Sequence, residues 1–314
     1  MVDQKLNFFL IGAPKAGTTH VHARLSRHPN VYLSPLKEPN HFATDIDSTQ
    51  FSPTFRSNVP ADLKGYLAER PLQPRQIGFV HDAAQYRRLF EDATAEHTVV
   101  GECSTSYLWS SEAAERIAEA HPQARILAVL RNPVERLHSH WLMARKYGFT
   151  TACLLDAVKQ DQAHPDPSWG RSELFVEAGL YAEGLRRWMD RFPVGQVKVL
   201  LNEDLNRPET WLELADWLGL EDAIPTVADK EGNPRGLARW EGVNAWLTST
   251  GLKAQIGRWI PGSIKSSVRD TWYTREGLEG LSDKDRIALL PHFEADIRAT
   301  GTLIGRDLGH WLVQ

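Results

Sequence analysis

Two cysteines, Cys103 and Cys153, are all that the 314 residues contain. That is too few for a disulfide framework or a cysteine-type zinc site, and it fits a reducing cytoplasm. No stretch of eighteen apolar residues occurs, so no membrane span is expected. The apolar run at 8–13 is too short for the core of a secretory signal. A basic excess is missing as well. The 36 Lys and Arg stand against 40 Asp and Glu, a net charge of −4, which leaves no footprint for nucleic acid or anionic lipid. No internal repeat, low-complexity tract or Gly-x-Ser-x-Gly nucleophile elbow is present. The pairs His20/His22 and His138/His140 sit two apart, on different sides of a helix, so neither is expected to hold a metal.

What is present is the composition of an ordinary globule, 42% apolar and 24% charged. Short apolar runs alternate with helical periods. Strands are predicted at 6–12, 31–33, 98–103, 125–130 and 197–201. Helices are predicted at 18–28, 82–92, 111–120, 133–147, 178–191, 208–218, 235–250 and 282–300. Nearly all-apolar strands separated by helices indicate an α/β fold with a central parallel sheet covered by helices on both faces. We expect one domain over 1–314, with a polar surface insertion at about 43–76 and a helical C-terminal extension, free of strands, from about 235. Ligands of such sheets sit at the carboxyl ends of the strands. That rule directs attention to 13–19, 102–106, 131–139 and 202–205.

At the first strand end stands Gly12-Ala13-Pro14-Lys15-Ala16-Gly17-Thr18-Thr19, followed by a helix. Glycines let backbone N–H groups turn toward an anion, and a helix start adds a positive dipole end. Gly12, Gly17 and Thr19 fit the spacing of a nucleoside-triphosphate loop, but Thr18 stands where its lysine belongs. The lysine is Lys15, inside the loop. A tight turn with an exposed lysine is the other reading of this segment. At the strand ending in Leu130, Arg131-Asn132-Pro133 opens a helix, with Asn132 as N-cap and Pro133 at the first helical position. Arg131 and Ser139 could together hold a phosphate, because the guanidinium fork matches its oxygens. A salt-bridge arginine and a surface serine are the plainer alternative.

The Pro-Lys-x-Gly-Thr-Thr loop resembles the 5′-phosphosulfate loop of sulfotransferases that use 3′-phosphoadenosine 5′-phosphosulfate (PAPS). Leu-Arg-Asn-Pro-x-x-Arg-x-x-Ser is similar to the same family's 3′-phosphate element. The resemblance runs from about residue 6 to residue 312. It implies a P-loop-kinase-like sulfotransferase fold and PAPS as co-substrate, with no metal. It assigns Lys15, Ala16, Gly17, Thr18 and Thr19 to the 5′-phosphosulfate, and Arg131 and Ser139 to the 3′-phosphate, with Arg136 mainly structural. Arg235, in the turn Asn233-Pro234-Arg235-Gly236, is implied as a further phosphate ligand. Gly101-Glu102-Cys103-Ser104-Thr105-Ser106-Tyr107 resembles the family's Gly-Glu-x-Thr-Pro-x-Tyr, although Thr105 replaces the proline. There the glutamate is the catalytic base, so Glu102 is the expected base and Lys15 the expected stabiliser of the departing oxygen. A histidine is the rival base. Lys37-Glu38-Pro39-x-His41-Phe42 is similar to the family's Lys-Glu-Pro element, and Lys37 and His41 are expected on the acceptor side. The implied activity is transfer of a sulfonate to an acceptor hydroxyl of a carbohydrate, glycolipid or natural product. An ATP-dependent small-molecule kinase and a non-catalytic nucleotide-binding module are the alternatives.

Overall fold

A computed structural model describes residues 6–59, 62–226, 237–238, 241–250, 273–274 and 280–313. The chain begins with β1 (Phe8–Gly12), α1 (Thr18–Leu25), β2 (Val31–Leu33), β3 (Leu36–Lys37), α2 (Pro53–Asn58), α3 (Leu63–Ala68), β4 (Arg75–Gln76) and α4 (Ala83–Arg88). Next come β5 (Val99–Cys103), α5 (Ala113–Ala120), β6 (Arg125–Leu130), α6 (Pro133–Tyr147), α7 (Leu154–Gln162), α8 (Ala182–Met189), β7 (Val197–Leu201) and α9 (Pro208–Leu218). The described C-terminal elements are β8 (Leu237–Ala238), α10 (Glu241–Ser249), β9 (Tyr273–Thr274), α11 (Asp283–Leu289) and α12 (Glu294–Ile304).

Five strands form one sheet in the order β2-β5-β1-β6-β7, and every pairing in it is parallel. β1 is buried at all five positions and so is β5; this is why β1 reads as an unbroken apolar run, and it puts Glu102 of β5 in the interior. Gly101 is required in β5: a Cβ there would meet the Phe8 carbonyl oxygen of β1 at 2.0 Å. The chain leaves β1 toward β2 on one side, and later crosses from β5 over β1 to β6 on the other. A crevice therefore opens at the carboxyl end of β1, the switch point at which ligands of open α/β sheets sit.

Strands β6 and β7, helices α6 and α9, and the sheet as a whole match the sequence-based expectation. Four details differ. The stretch 43–76, expected as a surface excursion with at most one helix, forms two, α2 and α3, and buries Ile46, Phe51, Tyr66 and Leu72. It then returns so that β4 pairs with β3. Its apolar residues are scattered without period, so periodicity could not register them. α7 was not anticipated, although Leu154, Ala157 and Val158 share its buried face. The helix expected at 282–300 is two helices, because Pro291 lacks the N–H that a continuous helix needs. The strand-free extension also carries a short antiparallel pair, β8 with β9.

The C-terminal helices are tied to the sheet through polar contacts. The Asp296 carboxylate of α12 accepts from the backbone N–H groups of Tyr181 (2.7 Å) and Ala182 (3.1 Å) at the start of α8. Glu203, just past β7, accepts from Trp311 Nε1 and His310 Nε2, both at 2.9 Å. Asn132 Nδ2 donates to the Trp311 carbonyl at 3.2 Å. The end of the described chain thus braces the residue next to Arg131.

Candidate active site

The loop after β1 turns sharply. Lys15 has φ +66° and Gly17 φ +104°. Gly17 is the N-cap of α1 and offers no side-chain acceptor to the helix's first amides, which leaves those donors to an external anion. A Cβ on Gly17 would meet Asn202 Nδ2 at 2.8 Å, and Asn202 in turn donates to the Ala16 carbonyl at 2.9 Å. Asn202 thus supports the loop from the end of β7. It falls in the 202–205 segment expected at the ligand edge, where asparagine carries no sequence signal of this contact. Thr18 is buried, and Thr19 is half-buried beside it.

Arg131 stands where β6 ends, half-buried, with Nη1 3.4 Å from the Lys15 carbonyl and Nη2 3.5 Å from Glu135. Lys15 Nζ lies 3.7 Å from Met143 Sδ on α6. Arg136, Ser139, His140 and Met143 follow one another at helical spacing on α6. Burial first, then the charges of Arg136 and Lys15, hold the His140 pKa well below its ordinary value. The loop and the β6–α6 junction, read from sequence as two anion sites, therefore meet in one cleft. Arg136 is fully buried and donates to the Phe175 carbonyl, in keeping with a structural part. Arg235 lies outside the described residues.

Glu102 is at the carboxyl end of β5, as expected, but it faces inward. It is 0% exposed, and its carboxylate accepts from Tyr86 OH (2.7 Å), Tyr107 OH (2.6 Å) and Ser104 Oγ (2.6 Å). Burial pushes its pKa up to about 7, and the three donors offset this only in part. A group that must touch a substrate hydroxyl needs an open side, and Glu102 has none. Ser104 Oγ also accepts from the Asn40 backbone N–H at 3.0 Å, and Asn40 Oδ1 accepts from Ser106 Oγ at 2.6 Å. The Glu102 cluster thus fixes the 38–41 loop, in which Glu38 and Asn40 both hold positive φ (+63° and +52°).

Glu38 is the carboxylate on that loop that remains partly open, its side chain 12% exposed. Its N–H donates to the Cys103 carbonyl at 2.7 Å. Its Oε2 accepts from the Thr105 N–H (2.6 Å) and Oγ1 (3.0 Å), and its Oε1 accepts from Lys37 Nζ. In the sequence Glu38 stands in the Lys-Glu-Pro element beside Lys37, with nothing local to mark it as the more open of the two glutamates. Lys37 itself is buried beneath Glu38. His41 Nδ1 sits 2.6 Å from the Val80 carbonyl, and its ring stacks on Tyr86 at 3.9 Å. Both residues expected on the acceptor side thus spend their recognised contacts on the protein's own groups. Among the described residues no group of three or more His, Cys, Asp or Glu could hold a metal, and no helix is long and apolar enough to cross a membrane.

A parallel sheet with a lysine-bearing glycine loop at its switch point, an arginine at the next strand end and a partly open carboxylate held by Thr105 at the end of β5 has the architecture of the P-loop-like class. The chain belongs to the sulfotransferase family, whose sequence model matches residues 7–221. It is similar to carbohydrate sulfotransferase 15 of Homo sapiens, 26% identical over 231 residues, covering 63% of this chain and 40% of that protein. It is also similar to the bifunctional heparan sulfate N-deacetylase/N-sulfotransferase 2 of Bos taurus, 28% identical over 65% of this chain and 20% of that protein. The match thus spans two fifths or less of these relatives. The crystal structure of a sulfotransferase from Alicyclobacillus acidocaldarius superposes with a TM-score of 0.65 at 25% identity, covering 98% of each chain.

Proposed function

We propose that this protein moves a sulfonate group from PAPS to an acceptor hydroxyl, giving the 3′,5′-bisphosphate PAP and a sulfate ester. The observation that carries the reading is the convergence of Lys15 and Arg131 in one cleft at the ends of β1 and β6. A donor with phosphates at both ends needs two anion-binding elements within one molecule's length. The residues fit such a donor. The uncapped start of α1, Gly17, Thr18, Thr19 and Lys15 would hold the 5′-phosphosulfate, and Arg131 with Ser139 the 3′-phosphate. PAPS would supply the sulfonate: its sulfur–oxygen bond to the 5′-phosphate breaks as the acceptor oxygen bonds to sulfur.

Lys15 then opposes negative charge growing on the phosphate oxygen that leaves. Glu38 accepts the proton of the acceptor hydroxyl, being the partly open carboxylate held by Thr105 at the end of β5. Glu102 is a positioning residue behind it. The sulfotransferase names of the relatives support sulfonate transfer. We read the acceptor atom as oxygen and the location as the cytoplasm, in keeping with the free thiols of Cys103 and Cys153. Calorimetry with PAP against ADP tests the core of the proposal. PAP should bind and ADP, lacking the 3′-phosphate, should bind at least about tenfold more weakly, the worth of one charge-assisted contact. Equal affinity for the two would overturn it.

A further inference from the structure

Beside the loop, on the side of β5 and α8, lies a cavity of about 210 Å³. Pro14, next to Lys15, and Thr105, which binds Glu38, form one edge; Trp109, Glu177, Glu183 and Arg187 are among the residues that line the rest. Its edge is thus formed by the chain neighbour of Lys15 and the hydrogen-bond partner of Glu38, the two groups to which the reaction is assigned. Its volume is below the roughly 300 Å³ at which pockets begin to enclose whole drug-sized ligands, so it suits one ring of an acceptor.

The positive charge on its wall is already committed. Arg187 Nη1 pairs with Glu183 at 2.8 Å, and Nη2 donates to the Trp109 carbonyl at 3.0 Å and the Leu108 carbonyl at 3.4 Å. Arg187 thus offers no free fork to a carboxylate or sulfate. Glu177 adds a negative charge. Carboxylates accept hydrogen bonds, so Glu177 and Glu183 on this wall suit the hydroxyl groups of a sugar, and half-buried Trp109 supplies an aromatic surface for the apolar face of a ring.

We propose that this cavity is the acceptor subsite and that it takes an uncharged, hydroxyl-rich ring, discriminating against rings that bear a carboxylate or sulfate. The inference rests on the sulfotransferase reading above and adds the acceptor's class. The probes are p-nitrophenyl β-glucoside and p-nitrophenyl β-glucuronide, which differ by one carboxylate. Their binding to PAP-loaded protein is read by saturation-transfer NMR, after PAP binding has been measured by calorimetry. The glucoside should bind, and the glucuronide at least about tenfold more weakly, the effect of one unpaired like charge. Glu177→Gln should bring the two to within about threefold, because the repelling charge is gone. Glu183→Gln, at an exposed position, should do the same by releasing Arg187. Equal or tighter glucuronide binding by the wild type overturns the proposal, as does binding of neither probe or a preference unchanged in both variants. Absence of PAP binding in the first step instead fails the sulfotransferase reading itself.

Discussion

Arg131 Nη1 lies 3.4 Å from the carbonyl oxygen of Lys15, so the residue ending β6 touches the loop that ends β1. This contact makes two separate sequence elements one site. Replacing either residue should therefore weaken PAP binding, but with different kinetic consequences. Arg131→Ala should raise the Kd for PAP by about 10–100-fold, as expected for loss of charge-assisted hydrogen bonds. Lys15→Ala should weaken PAP further and also lower kcat by about 10²–10³-fold, because its charge acts most strongly on the departing oxygen. Calorimetry and steady-state turnover separate the two. An unchanged kcat in Lys15→Ala would remove the lysine from transition-state stabilisation.

The two glutamates at the end of β5 should separate cleanly. Glu38→Gln keeps the shape of the side chain but not its basicity, and turnover should fall by about 10²–10⁴-fold with PAP affinity unchanged. Glu102→Gln should retain most of its turnover once folded, since Glu102 is enclosed by three hydroxyl donors. The reverse pattern would return the base to Glu102.

Stability should carry a pH signature of Glu102. Its pKa rises from an ordinary 4.5 to about 7, chiefly through burial. A carboxyl raised on folding binds its proton more tightly in the native state. Its contribution is present below the unfolded value and is lost as pH rises through the folded one. Against Glu102→Gln, which does not ionise, the wild type should lose relative stability between pH 5 and pH 8, by on the order of 3 kcal/mol in full. Thermal melts of both proteins across that range measure it. A difference independent of pH would show that Glu102 does not titrate there.

Arg306 and Asp204 join the C-terminal segment to the turn after β7, with Nη1 2.5 Å from Oδ2 and Nη2 3.3 Å from Oδ1. Burial raises the Asp204 pKa, but Arg306, the Leu201 N–H and Arg207 outweigh it and hold the carboxyl below its ordinary value. Arg306→Ala should cost about 1–2 kcal/mol at pH 7, a figure kept low because the arginine is partly exposed. A depressed carboxylate pKa stabilises above its unfolded value and is lost as pH falls through the folded one. Urea unfolding at pH 7 and pH 3 should therefore show the two proteins converging at the acidic end.

Gly17→Ala should damage both folding and binding. Its φ of +104° is costly for alanine, and the new Cβ would press on Asn202 Nδ2 and Leu205 Cδ1, each 2.8 Å away. A loss of about 1–3 kcal/mol is expected from the strained backbone, read by urea unfolding, together with weaker PAP binding by calorimetry.

The sequence by itself determined the parallel sheet, because strands covered on both faces must be apolar throughout, as Phe8–Gly12 and Arg125–Leu130 very nearly are. It also determined the glycine loop after β1 and the Asn132-capped, Pro133-started helix, because glycine, proline and capping residues act on their own neighbours. Only the tertiary structure decided which carboxylate is open. Glu102 and Glu38 are 64 positions apart in the chain, and both arrive at the end of β5. Burial by Tyr86, Tyr107 and Ser104 is a property of that packing and leaves no local trace in the sequence. The cavity beside Pro14 is likewise assembled from the β1 loop, the turn after β5 and the start of α8, three segments that no spacing rule connects. Covalent neighbours fix backbone conformation over a few residues, whereas solvent exposure and the pairing of charges depend on everything that folds against them.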